Sequence, residues 1–174
     1  MLRGNLQSQK TLLLVAFLVL IADQLTKLWV TRSLLLGESW PQEGFLRLTH
    51  VNNEGIVFGL SVHQAVPIIL PLLVIAMVLF LSHRHPLFNR NLVKVPLGLF
   101  LGGNVGNLID RLRLGHVTDF VDFHLWGDFH WPAFNLADTA IVVGMIVFIY
   151  SLARWGISPN HDNGNSQKHP SHSG

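Results

Sequence analysis

Two aspartates, Asp119 and Asp138, are the residues of this chain best suited to chemistry. Each closes or sits within a short motif, Gly115-His116-Val117-Thr118-Asp119-Phe120 and Phe134-Asn135-Leu136-Ala137-Asp138. The polar stretch between them separates two apolar segments of membrane length. A carboxylate at the edge of an apolar slab is costly to keep there, so its presence needs a reason. Two carboxylates facing one site share a proton, which leaves one as base and the other as acid. The plainer alternative makes Asp138 a helix-start acid favoured by the helix dipole, and Asp119 a loop acid paired with Arg111 or Arg113. On these two residues alone both readings stand open.

Other polar residues lie where they would support such a pair. Asn53, Asn107 and Asn135 can hydrogen-bond a carboxylate or a peptide backbone without adding charge. Asp23 and Lys27 are spaced i and i+4 inside an apolar helix, with Thr26 alongside. The plain reading is an ion pair near the interface, with Lys27 snorkelling to the headgroups. Asp23, however, falls well short of the helix end, and an intramembrane acid usually faces a bundle interior or a site.

Competing layouts find little support. There is no His-Glu-x-x-His pattern and no Gly-rich phosphate loop. A serine–lysine pair would join Lys27 to Ser33, Ser39 or Ser61, none of which has a supporting motif. His116, Asp119, Asp122, His124, Asp128 and His130 match no defined metal-ligand spacing. No metal and no cofactor is expected. With no cysteine, thiolate catalysis and disulfides are excluded.

The elements that must position these residues are those of an integral membrane protein. Apolar residues make up 49% and charged residues 13% of 174, about half the usual charged fraction of soluble domains, and the mean hydropathy is +0.40. The net charge of +2, with no basic run interleaved with aromatics, gives no sign of a nucleic-acid partner. Arg3 and Lys10 precede the apolar run Leu12 to Ala22 as in a secretory signal peptide. No small-x-small cleavage site follows, and the apolar pattern resumes through Leu25, Leu28, Trp29 and Val30, so an uncleaved first helix is expected.

The patterning predicts a mainly α, four-transmembrane-helix bundle with helices over about 12–31, 64–82, 92–110 and 133–155. A small extracytoplasmic β element is expected from Phe45 to Val51 and around Asn53 to Phe58. An interfacial loop or helix rich in aromatics is expected over 112–132. Gly98, Gly102 and Gly106 form a small-residue face for close helix approach, and Gly103, Asn107 and Asp110 form a polar stripe beside it. Residues 1–157 read as one membrane-embedded domain, and the Ser/Asn/His/Gly-rich tail 158–174 as disordered.

Five motifs in order resemble the bacterial lipoprotein signal peptidase family, signal peptidase II. They are Asp23-Gln24-Leu25-Thr26-Lys27, Asn53-Glu54-Gly55-Ile56-Val57-Phe58, Gly102 to Arg111, Gly115 to Phe120 and Phe134 to Asp138. Each is weak alone, but the ordered set is specific and spans residues 23 to 138. The resemblance implies a metal-free aspartic endopeptidase of the bacterial inner membrane. Its substrates would be diacylglyceryl-modified prolipoproteins, cut just before the lipid-bearing cysteine. It places the catalytic pair on Asp119 and Asp138, and supporting residues on Asp23, Asn53, Gly103, Asn107, Arg111 and Asn135. Motif spacing selects Asn53 over Asn52. Membrane lipid and the lipidated substrate are the implied partners of a monomer.

Lys and Arg favour the side carrying Arg3, Lys10, Arg84, Arg90, Lys94, Arg154 and Lys168, which puts both termini in the cytoplasm. Of the ten acids only Asp162 lies on that side, so the polar, working end is extracytoplasmic. The competing class is a small proton-coupled transporter or scaffold using Asp23 and Asp138 as relay groups. That class would show repeat symmetry with acids at mid-membrane. Here no repeat is visible.

Overall fold

The computed structural model describes residues 2–57, 60–61, 65–84, 91–126 and 129–155. Four helices account for most of them: α1 (Leu2–Ser33), α2 (Val66–Arg84), α3 (Asn91–Leu114) and α4 (Leu136–Trp155). Between them lie six strands, β1 (Ser39–Trp40), β2 (Leu46–Asn53), β3 (Ile56–Val57), β4 (Leu60–Ser61), β5 (Val117–Trp126) and β6 (Phe129–His130). The expected tail 158–174, Phe58, Asp128 and most of the basic loop after α2 fall outside the described residues.

Helix α3 is the central element, packed against all three other helices. Its glycines allow that. A Cβ at Gly98 would lie 2.8 Å from the Leu12 carbonyl oxygen, and one at Gly102 would lie 2.9 Å from the Val19 Cβ. At Gly103 it would strike the Ala137 carbonyl oxygen, and Gly144 of α4 sits equally tight on Pro96. Small residues thus bring three backbones together without side chains between them. The pairings Leu12 with Gly98 and Ala16 with Gly102 make α1 and α3 parallel, and Ala137 with Gly103 makes α4 antiparallel. Leu12, Ala16, Val78, Val93, Leu97 and Leu101 form the apolar core away from the polar end.

The burial pattern is reversed from that of a soluble bundle. Asp23, Lys27, Asn107, Asp110, Asp119 and Asn135 are all buried, while Leu13, Leu14, Phe17, Leu18, Leu73, Phe80, Ile146 and Ile149 are exposed. Large contiguous apolar surfaces of this kind face lipid or a partner rather than water. Gln9–Ser33 is long and apolar enough to cross a membrane, and Val66–Phe80 and Leu136–Ser151 are apolar over shorter lengths.

Strands β1, β2, β5 and β6 form one antiparallel sheet in that order, and β3 pairs with β4 in a separate two-stranded piece. Three expectations are corrected here. Helix α3 does not stop at Asp110 but runs to Leu114. It is ended by Gly115 at φ +81°, whose N–H bonds the Arg111 carbonyl at 3.1 Å in a left-handed cap. The stretch after it is neither loop nor interfacial helix but the ten-residue strand β5. Val117, Thr118, Val121 and Phe123 are β-branched or aromatic, which suits a pleated, half-buried surface. Aromatic content had pointed to the membrane interface, and the period of two was the stronger signal. Helix α4 begins at Leu136, after the expected 133.

Candidate active site

Asp119 enters from β5 and Asp138 from the first turn of α4, and Asn135 joins them. The Asn135 Nδ2 donates to Asp119 Oδ1 at 2.7 Å and to Asn107 Oδ1 at 3.1 Å. Its Oδ1 accepts from the Asp138 backbone N–H at 2.9 Å, while Asp138 Oδ2 accepts from the Asn135 N–H at 3.2 Å. Asn135 is therefore the N-cap of α4 and Asp138 the reciprocal member of a capping box. A backbone bridge between Phe134 and Val121 lays this turn against β5. Asp138 Oδ1 takes a second bond, from Asn107 Nδ2 at 2.7 Å.

Asn53 closes the other side of Asp119, donating from Nδ2 to Oδ2 at 2.9 Å. The pairing of Val51 with Asp119 and of Asn52 with Thr118 decides which asparagine does so. Strand side chains alternate, so Asn53 shares the face of Val51 and Asp119, and Asn52 takes the opposite face. The Asn53 Oδ1 accepts from the Gly55 N–H at 2.9 Å, an Asx turn made possible by Gly55 at φ +96°. Val51, Asn53, Asp119, Pro132 and Ala133 line an open cleft of about 250 Å³ here.

Asp23 lies beneath the pair rather than in it. Its Oδ1 accepts from the Ala137 N–H at 3.0 Å, which anchors a free amide of the α4 N-terminus, and its Oδ2 pairs with Lys27 at 2.8 Å. Gly106 leaves room for that carboxylate, since a Cβ there would lie 2.6 Å from Oδ2. Gly103 admits the α4 backbone next to Asp138. Arg111, on the last turns of α3, lies within electrostatic reach of Asp138, Asp119 and Asp110. Its Nε is buried without a hydrogen-bond partner among the described residues.

Lys27, Asp110 and Gln24 were missed as members of this cluster. Lys27 does not snorkel to the headgroups; it is 4% exposed and bonds Asp23, Asp110 and Asn107. Gln24 Nε2 donates to Asp110 Oδ1 at 2.9 Å. The i and i+4 charge pair within an apolar helix was the available signal. Replacing Asp23 by asparagine sets an amide N–H against either the Lys27 ammonium or the Ala137 N–H. Asp23→Asn is expected to cost about 1–3 kcal/mol of stability and to lower turnover roughly tenfold without abolishing it. A cleavage time course and a melting curve on one preparation measure both.

Burial pushes the Asp119 carboxyl up to about 6; the Asn53 bond opposes this, the Asp138 charge adds to it, and the Asn135 bond and Lys27 charge oppose it again. The folded state then holds a proton that the unfolded chain has released, from about pH 4 to about pH 6. Stability therefore falls as pH rises through that window and levels off above it. Melting temperatures measured from pH 4 to 8 should show this slope in the wild type. In Asp119→Asn it should be shallower.

Asp122 occupies the other face of β5. Burial would raise its carboxyl, but bonds from His130 and Thr49 and the charges of His130 and Arg47 hold it below the usual range. Its contribution is complete above the ordinary carboxylate value and is lost as pH falls below it. The Arg47 guanidinium lies 3.0 Å away, in a cross-strand pair. Asp122→Asn should lower stability by about 1 kcal/mol and leave cleavage within about threefold of wild type, because nothing joins it to Asp119. Parallel assays of the two variants test that separation.

A family model described as signal peptidase (SPase) II matches residues 15–154. The chain belongs to the signal peptidase II family. That family comprises aspartic peptidases, in keeping with a buried carboxylate beside a second one. The lipoprotein signal peptidase of Desulforapulum autotrophicum is 42% identical over 153 residues, covering 84% of this chain and 93% of that protein. The one from Moorella thermoacetica is 41% identical over 141 residues, covering 80% and 91%. A bacterial membrane enzyme solved by the in meso method at 2.3 Å superposes with a TM-score of 0.74 at 27% identity, over 93% of this chain and 95% of that one. A second, at 1.9 Å, gives 0.72 at 28% identity, over 82% and 92%. As a signal peptidase II the chain is a membrane protease of lipoprotein maturation.

Proposed function

We propose that Asp119 and Asp138 are the catalytic pair of a metal-free endopeptidase that cuts diacylglyceryl-modified prolipoproteins just before the lipid-bearing cysteine. The observation that carries this is Asn135, which bonds Asp119 and caps the helix of Asp138 with one amide. Asp119, the buried member, whose carboxyl is raised to about 6, acts in its protonated form. Asp138 takes a proton from water, whose oxygen attacks the scissile carbonyl carbon. Asp119 then gives its proton to the leaving nitrogen as the C–N bond breaks. Asn53, Asn107 and Asn135 hold the carboxylates, the Arg111 charge lies within electrostatic reach of both, Gly103 admits α4, and Asp23 anchors its end.

The same reading makes α1 to α4 four spans of the bacterial inner membrane. Both termini are cytoplasmic, and the sheet and the carboxylates lie at the extracytoplasmic face. A monomer suffices, since all these residues come from one chain. The substrate is itself a membrane helix, so its cleavage point reaches the interface where the pair sits. The experiment is gel-shift processing of a lipidated prolipoprotein by the purified protein in detergent. Cleavage with chelator present and none of the unlipidated precursor is expected. Loss of cleavage on chelation would overturn the metal-free mechanism.

A further inference from the structure

We propose that Lys27 is a positioning residue for the carboxylate pair, turning the Asn107 amide so that its N–H meets Asp138 and its oxygen meets the Asn135 amide that bonds Asp119. This rests on the aspartic-peptidase reading above. The Lys27 ammonium has three N–H groups, and three acceptors surround it. They are Asp23 Oδ2 at 2.8 Å, Asp110 Oδ2 at 2.8 Å and Asn107 Oδ1 at 3.0 Å. Lysine only donates, whereas a side-chain amide presents either oxygen or N–H. A flipped Asn107 would set N–H against the ammonium. The cation therefore fixes the oxygen of Asn107 towards itself and the Nδ2 towards Asp138 Oδ1, at 2.7 Å.

The same oxygen takes the second bond of the relay. Asn107 Oδ1 accepts from Asn135 Nδ2, and that nitrogen also donates to Asp119 Oδ1. One cation thus sets the sense of the Asn107 amide, and the cap bond from the Asp138 N–H sets that of Asn135, so that donors end on both carboxylates. Its two acids reach the elements that carry them. Asp23 holds the Ala137 N–H of α4, and Asp110 Oδ2 faces the Thr118 N–H of β5 at 3.4 Å. Asp119 is faced by Asp138 from α4, Lys27 from α1 and Arg111 from α3.

Removing Lys27 alone strands two buried acids and endangers the fold. The double variant Lys27→Met/Asp110→Asn keeps the net charge of the cluster while it removes the Lys27 donors to Asn107 and Asp23. With a lipidated prolipoprotein, its kcat should fall about 10- to 100-fold with KM little changed. Asn107→Asp, which keeps an oxygen for Lys27 but has no N–H for Asp138, should lose kcat to a similar degree. Wild-type kcat in either variant overturns the proposal. A second readout needs no cleavage: the infrared band of protonated Asp119, assigned by its absence in Asp119→Asn. Its midpoint should rise in the double variant, since the Lys27 charge that lowers it is gone. An unmoved midpoint overturns the role of Lys27, whereas a wild type that fails to cleave overturns the peptidase reading instead.

Discussion

Asp119→Asn and Asp138→Asn should each abolish cleavage while leaving a folded protein that still binds its lipidated substrate. Asparagine keeps the shape of the side chain but neither takes a proton from water nor gives one to a leaving nitrogen. Loss of at least about a thousandfold is expected, within the range ascribed to acid–base groups. The fold survives for a reason visible in the bonds. In Asp119→Asn, one amide N–H must face a donor, because Asn53 and Asn135 cannot turn over without losing Gly55 and Asp138. That costs about 1–3 kcal/mol, offset by removal of a carboxylate that burial disfavours. The double variant should be little worse than either single one, since groups acting as a unit are not additive. Processing assays on all three variants, with substrate pull-down as the binding control, check this. Strong cleavage by either single variant would sink the pair.

Asn135→Ala carries the second largest expected effect. It removes the cap of α4, worth about 1 kcal/mol, and leaves Asp119 Oδ1 without its 2.7 Å donor in a buried site, for about 1–3 kcal/mol more. Cleavage should drop about 100-fold, as for a displaced catalytic group. Asn135→Ser separates the two losses. Serine caps a helix about as well as asparagine but is too short to bond Asp119 and cap the helix together. It should recover the capping share of the stability, about 1 kcal/mol, and little of the activity. Recovery of both would mean that the cap alone matters and that Asn135 does not bridge the pair.

The sequence by itself determined which residues are costly and what family they resemble. Asp119 and Asp138 stand out because carboxylates at the border of apolar segments need partners. Glycines at 98, 102 and 106 announce a close helix contact, because only backbone can approach there. Tertiary structure decided the partners. Asn53 rather than Asn52 meets Asp119 because β2 and β5 pair in one register, and a shift of one residue would reverse the faces. Asp119 lies on a strand, whose order comes from a neighbour 66 positions away in sequence. Lys27 joined the site only because α1 packs directly on the glycines of α3, bringing its ammonium within 3.0 Å of Asn107. Burial cost depends on residue type and local setting, so it is legible along the chain; hydrogen-bond partners depend on register and helix approach, which the folded backbone alone sets.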